Sequence, residues 1–259
     1  MFGIISGSGM YDIPGLEIAE SIGITTPFGR PSESYRKGRI SGKEVFFLPR
    51  HGAGHRIQPH RINYRANIWG FKELGVQKII SIGASGGISR EMKPGTIAVP
   101  GQIIDMTSGR LSTFYEEDEV VHIDFTEPFC PAMRSDIFEA AQQTDIGVLK
   151  AGVYICVNGP RLETAAEIKT FSLWGADMVG MTAMPEAALA REAGICFAGI
   201  SVITNQAAGI AAKRLIVTEV VKTMEASADK LRSLLEALFA LDFPSRSCSC
   251  KQTLDESKI

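Results

Sequence analysis

The sequence predicts an α/β fold, a single domain in which helices flank a mixed, partly barrel-like central β-sheet. Three observations carry this. Short apolar runs rich in Ile and Val recur along the chain, bounded by turn residues. Segments with apolar residues at three- and four-residue spacing lie among them, which gives the alternation of strands and helices typical of α/β proteins. In the first third, strand-like pieces follow one another across short turns, which calls for local antiparallel pairing and hence a mixed sheet.

"GIIS" is the first strand and runs directly into Gly7-Ser8-Gly9. "EIAESIGI", "SESYRKGRI" and "KEVFFLP" supply the antiparallel pieces. "INYRANIWGFKELG" predicts a helix with Ile68, Trp69 and Phe71 near one face and Gly75 as its stop. "KIISIGA", "TIAVP", "GVYICV" and "GISVIT" read as further strands. "PEAALAREAG" starts a helix at Pro185, a residue suited to the first turn, and closes it at Gly194. One long helix is predicted from Thr218 to Ala240. Val217, Val220, Val221, Met224, Ala228, Leu231, Leu235 and Leu238 form a stripe that must face a core. From Pro244 the chain turns polar and is expected to fray. The expected division is a domain over 1–243 and a flexible tail over 244–259.

Hydrophobic residues make up 45% of the 259 and charged residues 22%, a balance that fills one large core. The net charge of −2 offers no basic excess for nucleic acid or an anionic membrane. No run of 18 apolar residues predicts a membrane-spanning helix. "MFGIISGSG" lacks the basic start of a secretory leader, so the expected compartment is the cytoplasm. Five scattered cysteines (Cys130, Cys156, Cys196, Cys248 and Cys250) do not form a disulfide framework. Cys156 and Cys196 lie in apolar runs and read as small buried hydrophobes. Cys248 and Cys250 read as free thiols on a disordered end, with a redox clip or a metal contact as the alternative; two thiols alone do not complete a zinc site, and no metal is expected.

The turn at Gly7 poses the functional question. A dinucleotide fold needs G-x-G-x-x-G and an acid about twenty residues on. Gly7 and Gly9 fit, but Asp12 takes the third position, and Glu20 lies in a strand-like piece. The G-K-[ST] of a P-loop is absent. What remains is a turn of small residues with one hydroxyl, Ser8, suited to one compact anion or to no ligand at all. "LPRHGAGHRIQPHRINYRAN" sets Arg50 and His51 just after a strand, and an arginine can grip a phosphate through two parallel hydrogen bonds. A plain surface-loop pair is the alternative there. "SIGASGGIS" adds small residues at Gly83, Ala84, Ser85 and Gly86, which let a ligand approach the backbone. Three anion-friendly loops after three strands are more specific than any one of them, because ligands gather at the carboxyl ends of parallel strands.

These stretches, with "NGPRLETAAEI", "WGADMVGMTAMPEAALAREAGI" and "SVITNQAAG", resemble the trimeric purine nucleoside phosphorylase / methylthioadenosine phosphorylase family over residues 3 to 240. The resemblance implies an α/β fold, a homotrimer with shared sites, and phosphorolysis of a purine nucleoside with inorganic phosphate as substrate and no cofactor. It implies phosphate contacts at Ser8, Arg50, His51, Gly83, Ala84 and Thr182, and Met181 under the ribose. His122, in "VHIDFTEPFC", lies in a segment that reaches a neighbouring subunit's site in this family; a histidine satisfied within its own loop is the alternative. Arg50, His51 and Asn205 are the expected catalytic residues, and Leu162, Glu163, Asn205, Gln206 and Ala207 the expected base-side residues.

Within the family, the branch that takes 6-aminopurines carries aspartates where this chain has Asn205 and Ala207. An amide at 205 can donate to O6 or N7 of a 6-oxopurine, and Glu163 can accept its N1–H; a helix-start carboxylate in solvent is the alternative for Glu163. The 6-oxopurine branch carries a histidine for the 5′-hydroxyl where this chain has Val217. With Val220 one turn on, the apolar pair suits a 5′-methylthio group, unless both valines serve only the core stripe. The expected substrate is therefore 5′-methylthioinosine. A general inosine/guanosine phosphorylase, a methylthioadenosine phosphorylase and a non-catalytic nucleoside-binding module are the alternatives.

Overall fold

The computed structural model describes residues 1–10, 15–116, 119–150, 152–211, 216–243, 248–255 and 257. Asp12 and the start of the polar tail at 244–247 lie outside these. The strands are β1 (Phe2–Ser6), β2 (Glu17–Ile22), β3 (Tyr35–Ile40), β4 (Lys43–Pro49), β5 (Lys78–Gly87), β6 (Ile97–Val99), β7 (Gln102–Met106), β8 (Val148–Lys150), β9 (Val153–Val157), β10 (Met178–Gly180) and β11 (Cys196–Gln206). The helices are α1 (Tyr64–Glu73), α2 (Pro131–Gln142), α3 (Ala165–Leu173), α4 (Ala183–Glu192), α5 (Val217–Ala226) and α6 (Ala228–Ala240).

The sheet is mixed, as expected, and it forks at β5. β5 pairs in parallel with β1, up to Ser6↔Ile82, and with β11 along its whole length. Its last two residues, Gly86 and Gly87, pair antiparallel with β10. β1 also pairs in parallel with β4, and the antiparallel β2–β3–β4 piece continues from there. Alternation along the central strands sends side chains to two apolar layers. Ile4, Ile80 and Ile82 meet Ile137, Leu231, Leu235 and Leu238 of α2 and α6. Ile5, Leu48 and Ile79 meet Ile68, Phe71, Ala187 and Leu189 of α1 and α4.

Two expectations are corrected. The long helix over 218–240 is two helices, broken at Ser227, whose hydroxyl donates back to the Thr223 carbonyl (2.8 Å). The stripe is not buried throughout: Met224, Leu231, Leu235 and Leu238 are buried, whereas Val217, at the start of α5, is 66% exposed. The tail does not fray where it is described. Ser249–Gln252 forms a 3₁₀ turn, Cys250 is 2% exposed, and the His122 N–H donates to the Ser257 carbonyl (2.8 Å). Nor are the tail cysteines isolated from the core ones. The sulfurs of Cys130, Cys196, Cys248 and Cys250 all lie within 4.8 Å of one another. Among the described residues, no helix is long and apolar enough to cross a membrane.

Candidate active site

Parallel pairing of β4, β1, β5 and β11 brings their carboxyl ends to one side of the sheet, where a cavity of about 250 Å³ opens. One water takes roughly 30 Å³, so the cavity has room for an organic molecule as well as an anion. Its floor follows from the fork. β1 leaves β5 after Ile82 and β10 joins at Gly86, so among the described residues one edge of β5 has no strand partner over Gly83–Ser85, and these residues line the cavity.

Arg50 stands at the deep end. It is 1% exposed, and its partner Glu186 is 0% exposed. Arg50 Nε donates to Glu186 Oε1 (2.5 Å) and Nη2 to Oε2 (3.1 Å); Nη2 also donates to Ser81 Oγ (2.6 Å) and Nη1 to the Ile82 carbonyl (3.2 Å). A guanidinium has five N–H groups, so one hydrogen on Nη1 is left. A Cβ at residue 7 would lie 2.8 Å from Nη1, which explains the glycine there. The two-pronged grip expected for phosphate is therefore taken by Glu186, and one prong remains for a ligand. Burial alone would depress the guanidinium pKa; the facing Glu186 carboxylate more than offsets this and holds it above its ordinary value.

His51, also buried, has Nδ1 2.7 Å from the Ile57 carbonyl. A carbonyl only accepts, so Nδ1 carries the proton and Nε2 is left as an acceptor. Burial, then the Arg50 charge, depresses the His51 pKa to about 3, so the ring is neutral. Ser8 and Thr182 complete this end. Thr182 is the N-cap of α4 yet makes no side-chain cap bond, which leaves its hydroxyl for the cavity. The helix proper starts at Pro185, because Met184 is non-helical.

The other end is less buried. Met181 lies against Gly159 (φ 60°), in the left-handed region that favours glycine. Arg110 fixes this corner by donating to the carbonyls of Met181 (2.8 Å), Asn158 (3.0 Å) and Met184. On β11, the register against β5 shifts between Ile203 and Asn205, a bulge of the kind that re-aims a side chain. Thr204 Oγ donates to Asn205 Oδ1 (2.8 Å), which orients the amide, and Asn205 Nδ2 gives one hydrogen to the Gln206 carbonyl (3.0 Å). The second Nδ2 hydrogen is left for a ligand. Glu163 is half-buried, and burial raises its carboxyl pKa. Leu162, Glu163, Val217 and Val220 all line the cavity.

Twelve of the fifteen expected site residues thus line one cavity: Ser8, Arg50, His51, Leu162, Glu163, Gly83, Ala84, Met181, Thr182, Asn205, Val217 and Val220. Three do not. Gln206 is exposed at the end of β11, and Ala207 packs among Ile155, Phe171 and Val179. His122 is exposed on its loop, away from this cavity. Glu186, Arg110 and Thr204 join the site without a sequence signal that sets them apart. Glu186 looks in sequence like an ordinary first-turn acid of a helix, and only the packing of α4 against the sheet reveals its burial.

The sequence profile of the family described as "Phosphorylase superfamily" matches residues 2–240. The chain belongs to the phosphorylase superfamily. Among members of that superfamily, it is 50% identical to the "Probable S-methyl-5′-thioinosine phosphorylase" of Thermodesulfovibrio yellowstonii, over 99% of this chain and 97% of the relative. It is 44% identical to the 6-oxopurine nucleoside phosphorylase of Pyrococcus furiosus, over 97% and 96%. It is 42% identical to the S-methyl-5′-thioadenosine phosphorylase of Nitrosopumilus maritimus, over 99% and 97%. In structure it is similar to methylthioadenosine phosphorylase from Schistosoma mansoni in complex with adenine, with a TM-score of 0.93 and 30% identity over 100% of this chain and 99% of that one.

Proposed function

We propose that the chain is a purine nucleoside phosphorylase that converts S-methyl-5′-thioinosine and phosphate to hypoxanthine and 5-methylthioribose 1-phosphate. The observation that carries this is one continuous cavity. It joins an anion end (Ser8, Arg50, His51, Thr182 and the free edge of β5) to an amide–carboxylate pair (Asn205 and Glu163) and an apolar pair (Val217 and Val220).

The chemistry follows from that order. Cleavage of the N-glycosidic bond builds positive charge on C1′ and the ring oxygen. Orthophosphate held below C1′ stabilises that charge, and one of its oxygens closes on C1′ as the bond to N9 breaks. The electron pair leaves with the purine, where the spare Asn205 N–H meets the growing negative charge at O6 or N7, and the proton that phosphate gives up on forming the ester ends on the purine ring, so neutral hypoxanthine is released. Glu163 accepts N1–H, which a 6-oxopurine carries and adenine does not. The methylthio group fills the space between Val217 and Val220. Phosphate is a substrate and no cofactor takes part. A homotrimer in the cytoplasm is the assembly this reading carries, with the His122 segment reaching a neighbour's cavity.

Hypoxanthine release should require phosphate; release in water alone would indicate a nucleosidase, and binding without turnover a non-catalytic module. The specificity constant should be highest for methylthioinosine, with inosine and guanosine lower. A preference for methylthioadenosine would refute the assigned roles of Asn205 and Glu163. Equal constants for methylthioinosine and inosine would make the chain a general 6-oxopurine phosphorylase.

A further inference from the structure

On the opposite side from the cavity's chemistry lies a second cluster of reactive groups. Cys130 and Cys196 are each 1% exposed in the apolar core, and Cys250 and the half-buried Cys248 reach them from the tail. All four sulfurs lie within 4.8 Å of one another, with Cys196 and Cys248 at 3.3 Å. Zinc–thiolate bonds of about 2.3 Å in a tetrahedron set sulfurs about 3.8 Å apart. The cluster is one compact group at that scale and not two separate pairs.

Its surroundings suit thiolates. Cys130 is the N-cap of α2, at the positive end of a twelve-residue helix. Arg191, itself buried, directs Nη1 at Cys250 Sγ (3.5 Å). A tetrathiolate zinc centre carries net charge −2, and in an apolar shell it needs such donors around it.

We propose that Cys130, Cys196, Cys248 and Cys250 form a structural tetrathiolate site for Zn²⁺. On binding, four thiols release four protons and four Zn–S bonds form, with no change of oxidation state. The metal would fasten the C-terminal tail to the start of β11 and of α2. It lies apart from the nucleoside cavity, so its role is structural, as four protein ligands leave no open position for substrate.

The full chain, purified without metal chelators or a metal-binding tag and under reducing conditions, should hold about one zinc per chain by elemental analysis. A mercurial reagent should release that zinc into a chromogenic chelator. C248S and C250S should each lower retained zinc at least tenfold, with circular dichroism reporting that the fold persists. C156S should retain it in full, since Cys156 lies outside the cluster. Cobalt(II) added to metal-free protein should give thiolate charge-transfer and tetrahedral d–d bands, which C250S abolishes. This second readout keeps the test decisive should a serine variant fail to fold. The proposal is overturned if the wild-type chain neither contains zinc nor takes up Zn²⁺ or Co²⁺. An intact mass lower by the lost thiol hydrogens in fresh reduced-buffer preparations would also overturn it, by showing the cysteines joined as disulfides.

Discussion

The two ends of the cavity are built by opposite rules. At the anion end, Arg50, Glu186 and His51 are buried at the ends of central strands and under α4. Glu186 neutralises Arg50, and apart from the histidines no other cationic side chain lines the cavity among the described residues. In the proposed reaction a bound anion would therefore be held less by net charge than by fixed dipoles: the free edge of β5, the hydroxyls of Ser8 and Thr182, and one guanidinium N–H. At the nucleoside end, Val217 is 66% exposed, Leu162 40% exposed and Glu163 half-buried, on a loop and the start of a helix. The part that the proposed function assigns to phosphate is locked into the core. The part that it assigns to base and sugar choice sits on elements that can be altered at little cost in stability.

The largest effect expected from breaking this contrast is at Arg50. Arg50→Ala removes a donor to the anion, a loss of about 10²–10³ in rate where such donors act on developing charge. It also leaves the Glu186 carboxylate buried and unpaired, at a cost of about 3–5 kcal/mol. Steady-state kinetics in phosphate should show the first and urea unfolding the second. An active, equally stable variant would place the anion elsewhere.

Next in size is Asn205. Asn205→Ala should lower kcat for a 6-oxopurine nucleoside by about 10²-fold, the scale of one lost transition-state donor. Asn205→Asp should move preference toward 6-aminopurines, since Thr204 still donates to one oxygen while the other presents an acceptor. Competing inosine against adenosine in one reaction measures the shift, and an unchanged ratio would remove this amide from base selection. Val217→His should favour the 5′-hydroxyl over the methylthio group about tenfold, equivalent to about 1.4 kcal/mol. Because Val217 is exposed, the unfolding free energy should change by no more than the roughly 0.5 kcal/mol typical of surface sites, measured by urea unfolding.

The same contrast explains what could be read from the sequence. The β-branched runs of β1, β4, β5 and β11 were legible because buried central strands are apolar throughout, and Gly7 and Gly83 were legible because the backbone must approach something there. Ser8 and Arg50 follow β1 and β4 and were legible with them, Gly83 and Ala84 lie within β5, and Thr182, after β10, was legible only through the resemblance to the family. β8 and β10, three residues each, lack the flanking β-branched residue that made the equally short β6 readable in "TIAVP". The break at Ser227 was hidden because the apolar spacing of α6 continues in phase from α5. Glu186 and the four-cysteine cluster were illegible for one reason: burial of a polar or reactive group depends on what packs over it, from residues 136 positions away for Glu186 and Arg50. Val217 shows the converse: of its two readings in sequence, core stripe and 5′ pocket, the structure sets it at the cavity, 66% exposed.

The smallest predicted effect has a definite sign and tests whether the anion end is as neutral as its geometry requires. Burial, then Arg50, holds the folded-state pKa of His51 at about 3, against 6.5 for a free imidazole. Between those values the unfolded chain takes up a proton that the folded chain refuses. Stability contributed by neutral His51 is therefore complete above pH 6.5 and is lost as pH falls toward 3. His55, lowered by burial, adds in the same direction. His51→Gln abolishes the difference in proton uptake at this site while leaving every carboxylate in place. Urea unfolding from pH 6.5 to 4 should consequently be less pH-dependent in the variant, by at most about 1.4 kcal/mol per pH unit. Parallel slopes in the two proteins would mean that His51 is protonated in the fold. The anion would then meet a second cation beside Arg50, and the case that dipoles rather than net charge hold it would fail.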